Sequence, residues 1–408
     1  MDTVEKIDFF SPAHRANPYR DYAYLRENAP VYRYTDSSGY AYWVITRYED
    51  VQAAFKDPRL VKDYRHAYSQ ERIAQVEAQM TTREWRILDQ NLLSADPPDH
   101  TRLRNLVSKA FTPRRMEQLR PRIQQIADEL IDAMAGQSQV DLLDVYAFPL
   151  PFQVIAELLG VPTVDRDKFR SWSKSLLDGS GPDAPEVNSY KAAVAFVAYI
   201  EEMIAERRKT GGQEDLVGAL VQAEESGDKL SEDELIAMIW LLIIAGHETT
   251  VNLIGNGMVA LLRHPDQMAK LQTDLPGLIK PAIEEFLRYD GSVETSTIRF
   301  ASEDVQISGQ HIARGERVLL VIAGADHDAT RFTNSDELDV TRANNQHIAF
   351  GYGIHFCLGA PLARLEGQIA LSTLLERKPN IKLAVKPEDL QWRPSLLLRG
   401  LQSLPVLI

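Results

Sequence analysis

Cys357, the only cysteine among 408 residues, is the one side chain able to offer a metal a thiolate. It lies in Phe350-Gly351-Tyr352-Gly353-Ile354-His355-Phe356-Cys357-Leu358-Gly359, just before a helical pattern with Leu362, Leu365 and Ile369 along one side. A thiolate next to a helix N-terminus is stabilised by unpaired backbone N–H groups and by the helix dipole. Glycines in such a turn permit tight bends and the close approach of a flat ligand to backbone. A cysteine by itself more often fills core space. The turn also has what a metal-ligand loop beneath a flat macrocycle needs, and at this point both readings stand. With one cysteine, neither an internal disulfide nor a cysteine-rich zinc site can form.

A second constellation is Ala245-Gly246-His247-Glu248-Thr249-Thr250, set in the middle of a long apolar pattern. That pattern starts at Ser231, where Glu234 three residues on completes a capping-box signature, and runs through Leu261 and Leu262 to a stop at Pro265. About thirty residues at roughly 1.5 Å each make a rod of about 50 Å. Its first half is apolar on every side, so it should run through the core. Thr249 can return its hydroxyl to the carbonyl of Ala245, four residues earlier, and Gly246 lowers helix propensity between them. A polar break with a widened turn and a groove is the expected result. Elsewhere Glu285 and Arg288, three apart, share a helix face and can pair.

The elements that must position these residues read as mainly helical with small sheets. Short strands are expected at Val31–Tyr34 and Tyr42–Thr46, joined by a Ser37-Ser38-Gly39 turn. Apolar residues such as Ile123, Ile126, Leu130, Ile131 and Met134 recur at threes and fours, giving helix from Pro113 to Lys209. Further helices are expected at Pro265–Asp274 and Pro281–Tyr289, and strands at Val305–Ile307, Val318–Ile322 and Leu404–Ile408. Asp326 to Gln346 lacks periodicity, and long irregular stretches in compact domains are usually functional or disordered. No repeat or linker marks a boundary, so one domain over residues 1–408 is expected. A net charge of -13 argues against nucleic acid as a general partner. The N-terminus has no apolar stretch of signal-peptide length, and the apolar run Leu235 to Ala245 is too short to span a bilayer. A cytoplasmic protein without membrane attachment is the expectation.

The pattern F-x-x-G-x-H-x-C-x-G, met at Phe350, Gly353, His355, Cys357 and Gly359, resembles the haem-ligand signature of the cytochrome P450 family. Ala360-Pro361-Leu362-Ala363-Arg364-Leu365-Glu366 is similar to the family's bacterial members. The resemblance covers nearly the whole chain, because Glu285-Phe286-Leu287-Arg288 matches the family's E-x-x-R and Ala245-Gly246-x-Glu248-Thr249 its acid–alcohol pair. It implies the P450 fold, with the long central helix over haem b and Cys357 as the axial ligand of iron, a thiolate that favours O–O cleavage. Phe350, Gly351, Gly359, Ala245 and Gly246 would border the cofactor. His100, Arg104, Arg299 and His355 would meet its propionates, since buried carboxylates need cationic or hydrogen-bonding partners. Glu285 and Arg288 would be buried and lock Arg342 of the irregular stretch. Thr249 would hydrogen-bond the oxygen ligand and Glu248 relay protons, while His247 would be exposed or locally satisfied.

The implied reaction is monooxygenation of a small, largely apolar molecule by O2. The bacterial resemblance suggests secondary metabolism, with a macrolide or other polyketide, a terpenoid, a steroid or a fatty acid as the candidate substrate classes. By resemblance the pocket would draw on Asn91 to Leu93, Ile243, Ile244, Val293 to Thr295 and Leu396 to Leu398. The chain leaves no room for a flavin or nicotinamide domain. A ferredoxin and its reductase would therefore supply electrons to a monomer, with Arg114, Arg115 and Arg364 as candidate contacts. The rival readings are a peroxide-driven peroxygenase and a haem-binding sensor without turnover.

Overall fold

The structure, a computed structural model, describes residues 7–37, 39–79, 82–109, 111–177, 186–210, 215–225 and 230–408. Ser38 of the expected turn and residues 178–185 of the expected helical stretch lie outside these residues. Five helices concern the site: α1 (Asp99–Ser108), α2 (Pro149–Leu159), α3 (Glu232–Arg263), α4 (Leu275–Tyr289) and α5 (Ala360–Arg377).

Helix α3 is the expected rod. The Ser231 hydroxyl accepts from the Glu234 N–H at 3.2 Å and the Glu234 carboxylate from the Ser231 N–H at 2.8 Å, a complete capping box. By length and composition α3 could cross a membrane. Instead it is the core helix, buried along most of its length and packed by α2, α4 and α5.

The main sheet joins distant parts of the chain. Its strands are β1 (Val31–Thr35), β2 (Ala41–Ile45), β3 (Leu60–Val61), β5 (Arg299–Ala301) and β8 (Arg317–Leu320), in the order β1-β2-β8-β5-β3. Strands β1 and β2 pair antiparallel, and β2 runs parallel to β8 with Ile45 opposite Leu320. Strands β4 (Gln139–Asp141), β9 (Lys382–Leu383) and β10 (Pro405–Leu407) form a second sheet, and β6 (Val305–Ile307) with β7 (Gln310–Ile312) a hairpin.

Three expectations are corrected. The helical stretch from Pro113 to Lys209 is interrupted: the helix Arg120–Asp132 is followed by Gly136 at φ +81°, a left-handed turn, and then by β4. Helix α4 begins at Leu275, so Pro281 sits inside it. Proline costs an internal helix bond, but burial of Ile279, Ala282, Ile283 and Phe286 offsets that loss. The strand expected to reach Ile322 stops at Leu320, and Ile322–Ala325 turns into a short helix.

The stretch 326–346 is irregular as expected, and side chains of α4 hold it. Arg288 donates twice to Glu285 at 2.8 Å, and to the carbonyls of Asp326 (3.0 Å), Ser335 (2.6 Å) and Glu337 (3.0 Å). Glu285 also accepts from Arg342 (2.9 Å), Asn345 (3.0 Å) and the Asp339 N–H (2.9 Å). Both partners are fully buried, so the pair is no surface salt bridge.

Candidate active site

The cysteine loop is closed by its own backbone. Cys357 N–H donates to the Phe350 carbonyl at 2.9 Å, and Gly351 N–H to that of Ile348 at 2.8 Å. Gly351 (φ +71°) and Gly353 (φ +74°) adopt left-handed backbone, and a Cβ on Gly353 would lie 3.0 Å from the Phe55 carbonyl oxygen. The sulfur sits at the start of α5. Burial pushes the thiol up, while the N–H groups of Gly359 and Ala360 and the charges of Arg104 and Arg364 pull toward the thiolate. Phe350 packs under the Arg364 guanidinium, 4.5 Å from its ring centroid. Arg364, expected as a redox-partner contact, is committed to Glu284 by two hydrogen bonds of 2.7 and 2.8 Å.

On α3 the alternation of burial breaks at the polar motif. Ala245 is exposed although it lies mid-way along a core helix, and Thr249, one turn on, is half-buried. The Thr249 hydroxyl donates to the Ala245 carbonyl at 2.9 Å, as expected. The helix nonetheless runs through 245–250 without interruption. The expected break is therefore chemical, an open face with a back-bonded hydroxyl, and the turn stays helical. Gly246 is also corrected: a Cβ there would lie 2.8 Å from Ile155, so its smallness lets α2 and α3 approach closely.

Glu248 is buried and bonded to Arg393 at 2.7 Å, with His247 Nε2 3.5 Å away. Burial alone would raise its carboxyl; His247 and Arg393 outweigh that and hold it at about 2, fully ionised at neutral pH. His247 itself is buried, and its Nδ1 donates to the Ile243 carbonyl at 2.7 Å, which excludes the exposed alternative.

The four expected propionate partners converge. The rings of His100 and His355 are 4.3 Å apart, and both Nε2 atoms are buried without a partner among the described residues, as is Arg299 Nε. Burial, followed by the positive charges of His100, Arg299, Lys62 and Arg104, holds His355 at about 2. Burial likewise lowers Arg104, with the Cys357 sulfur pulling the other way. His100 and Arg299 are buried and Arg104 and His355 half-buried, and the cluster carries surplus positive charge, the environment an anionic ligand with two carboxylates requires.

Comparisons with known proteins point the same way. The sequence model described as Cytochrome P450 matches residues 185–378. Cytochrome P450 107B1 of Saccharopolyspora erythraea is 50% identical over 410 residues, covering 100% of this chain and 99% of that one. The chain belongs to the cytochrome P450 family. Another relative is the polyketide biosynthesis cytochrome P450 PksS of Bacillus subtilis, 44% identical over 96% of this chain and 95% of that one. The crystal structure of a myxobacterial cytochrome P450 in complex with myristic acid superposes with a TM-score of 0.92 at 43% identity, over 98% of each chain.

This P450 uses haem b, and its residues fit the group: a sulfur at a helix start, an open helix face and a cation cluster lacking its counter-charge. Two of the expected pocket segments are joined. Val293 bridges Leu398, Glu294 N–H donates to the Leu397 carbonyl at 2.9 Å and the Thr295 hydroxyl to that of Leu396 at 3.0 Å. Two expected lining residues are reassigned. Glu294 is fully buried and bonded to Tyr22 (2.5 Å) and Arg15 (2.8 Å), part of an ion cluster that ties the N-terminal helices to the core. Asn91 is a buried turn-former, donating to the Leu88 carbonyl and accepting from the N–H of Leu93 and Ser94.

Sequence reasoning missed Arg393, Lys62 and Glu366. The last is fully buried on α5; burial pushes its carboxyl well above the ordinary range, against a smaller pull from Thr250. Its place nine residues beyond the cysteine, on a helix buried on most sides, was a usable signal. Arg393 and Lys62 have none, because their partners are remote in sequence.

Proposed function

We propose that this P450 monooxygenase oxidises an apolar secondary metabolite of polyketide type, with Thr249 and Glu248 handling protons on the open face of α3. Bound haem supplies dioxygen activation at a thiolate-ligated iron, and the protein supplies orientation and proton delivery. The observation that carries the reading is the Thr249 hydroxyl. Its proton is given to the Ala245 carbonyl, so its lone pairs face the open side and accept a hydrogen bond from water or an O–H group there. Glu248 holds no proton at rest and passes protons as a carboxylate, accepting from water while Arg393 keeps it in place. A non-catalytic sensor has no use for this pair.

The polyketide assignment is supported by the name of the relative PksS, and the apolar character by Leu398, Val293 and Ile244 in the pocket segments. Electrons come, in this reading, from a ferredoxin and its reductase. Arg114 and Arg115 are exposed on the helix Pro113–Gln118, which packs on α5. One catalytic domain, acting as a monomer in the cytoplasm, carries the activity; the sharing of one sheet by strands at 31–45 and 317–320, and of another by strands at 139–141 and 405–407, supports the single domain.

The test uses surrogate ferredoxin and reductase with a panel of macrolide and polyketide substrates. Cys357→Ser is expected to abolish product and the long-wavelength carbon monoxide band of a sulfur-ligated haem. Thr249→Ala is expected to keep that band and substrate binding, while product formed per NADH falls on the order of 10²-fold. Equal coupling in Thr249→Ala and wild type would sink the proton role, and turnover with hydrogen peroxide alone would favour a peroxygenase.

A further inference from the structure

We infer that Lys62 is a fifth haem-propionate ligand, its ammonium completing the cluster of His100, Arg104, Arg299 and His355. The inference rests on that cluster binding haem. Lys62 follows β3 and is 7% exposed. Its backbone N–H donates to Asp96 Oδ1 at 2.9 Å, and its ammonium donates to the Thr297 hydroxyl and, at 2.7 Å, to the Ile298 carbonyl. Both side-chain acceptors are neutral. An ammonium carries three protons, so one is left over.

No carboxylate among the described residues forms an ion pair with it. The nearest acid, Asp96, spends its oxygens on the N–H groups of Lys62 and Asp63, both at 2.9 Å, and on His66 Nδ1 at 3.0 Å. A buried ammonium without a counter-charge is costly, and chains rarely keep one unless a ligand supplies the anion. Burial, then repulsion from Arg299, pushes the Lys62 ammonium well below the ordinary lysine range, and only Asp96 pulls the other way. Its charge is also felt at His355, in the cysteine loop. Lys62 thus lies beside Arg299, whose guanidinium donates to the Leu60 carbonyl at 2.9 Å while the Lys62 ammonium reaches the Ile298 carbonyl, and it has a free proton and no anion of its own.

The contacts to Thr297 and Ile298 could equally make Lys62 a pin between β3 and the segment before β5. A pin needs hydrogen bonds but no charge, and that separates the two roles. The test compares wild type, Lys62→Met, Lys62→Gln and Lys62→Arg as holoenzymes. It reads haem transfer to excess apomyoglobin, the iron midpoint potential and thermal unfolding. Lys62→Met and Lys62→Gln are expected to release haem about tenfold faster, the loss of one charge-assisted hydrogen bond. Their midpoint potentials should fall, because removing a nearby positive charge disfavours the added electron, and Lys62→Arg should restore both. Should Lys62→Met fail to fold, Lys62→Gln, which can keep the hydrogen bonds, gives the same reading. Wild-type haem release and potential in either neutral variant overturn the inference, whatever happens to thermal stability. Failure of the haem site itself would show separately, as a wild-type protein that carries no sulfur-ligated haem.

Discussion

Two buried charge clusters in this molecule are built from similar residues and balance their charges differently. Around Glu285 the buried charges find their partners within the chain: Glu285 meets Arg288, Arg342 and Asn345, and Arg288 also meets carbonyls of the irregular stretch 326–346, although Asn345 Oδ1 and Asp326 Oδ2 have no hydrogen-bond partner among the described residues. Around His100, Arg104, Arg299, His355 and Lys62 the donors outnumber the acceptors, and several nitrogens are orphaned. A buried cluster that satisfies itself holds a fold together. One that needs an anion from outside marks where a ligand binds, because natural interiors rarely leave polar groups unpaired.

The contrast can be broken at either end, and the largest effect is expected at the self-satisfied cluster. Arg288→Ala leaves the buried Glu285 with Arg342 as its remaining counter-charge and strips the Asp326, Ser335 and Glu337 carbonyls of the Arg288 guanidinium. A loss of about 3–5 kcal/mol is expected in urea denaturation, with haem lost as the cysteine loop loosens. A change under about 1 kcal/mol would mean that the stretch 326–346 stands without it.

A second buried cluster, in which a carboxylate has its counter-charges within the chain, predicts an acid limb. Burial would raise Glu294, but Arg15, His14 and Arg399 outweigh it and hold the carboxyl at about 2, against an ordinary value of 4.5. A depressed carboxylate stabilises the fold above its unfolded value and loses that stabilisation as pH falls through the folded one. About 3 kcal/mol should therefore disappear between about pH 5 and pH 2. Denaturation midpoints across that window measure it. Glu294→Gln should be less stable at neutral pH and show a flatter acid slope; an unchanged slope would assign the acid sensitivity elsewhere.

The smallest effect on folding is expected where the charge is in surplus. Arg104→Leu removes one of several unbalanced cations while keeping apolar contacts. Urea stability of the chain should move by less than about 1 kcal/mol, while haem loss to apomyoglobin quickens by about tenfold. The opposite pattern, a destabilised chain with unchanged haem retention, would make the two clusters alike.

What could be read in advance was local in sequence. Ser231 and Glu234 are three residues apart and set the start of α3; Thr249 and Ala245 are four apart and make the back-bond. Gly351 and Gly353 bend the cysteine loop within a few residues of the sulfur. Where local signals misled, packing decided. Pro281 reads as a helix start yet lies inside α4, and Gly246 reads as a helix weakener yet is a contact with Ile155.

The order of residues alone determined the helix rod, the thiolate turn and the pairing of Glu285 with Arg288, because hydrogen bonds over three or four residues need only helical spacing. Tertiary structure alone decided that Arg393 holds Glu248 from 145 residues away and that the Lys62 ammonium meets Thr297 across 235. Such partners carry no periodic signature. They are selected by the electrostatic cost of burying a charge, which exists only once the chain has closed around it.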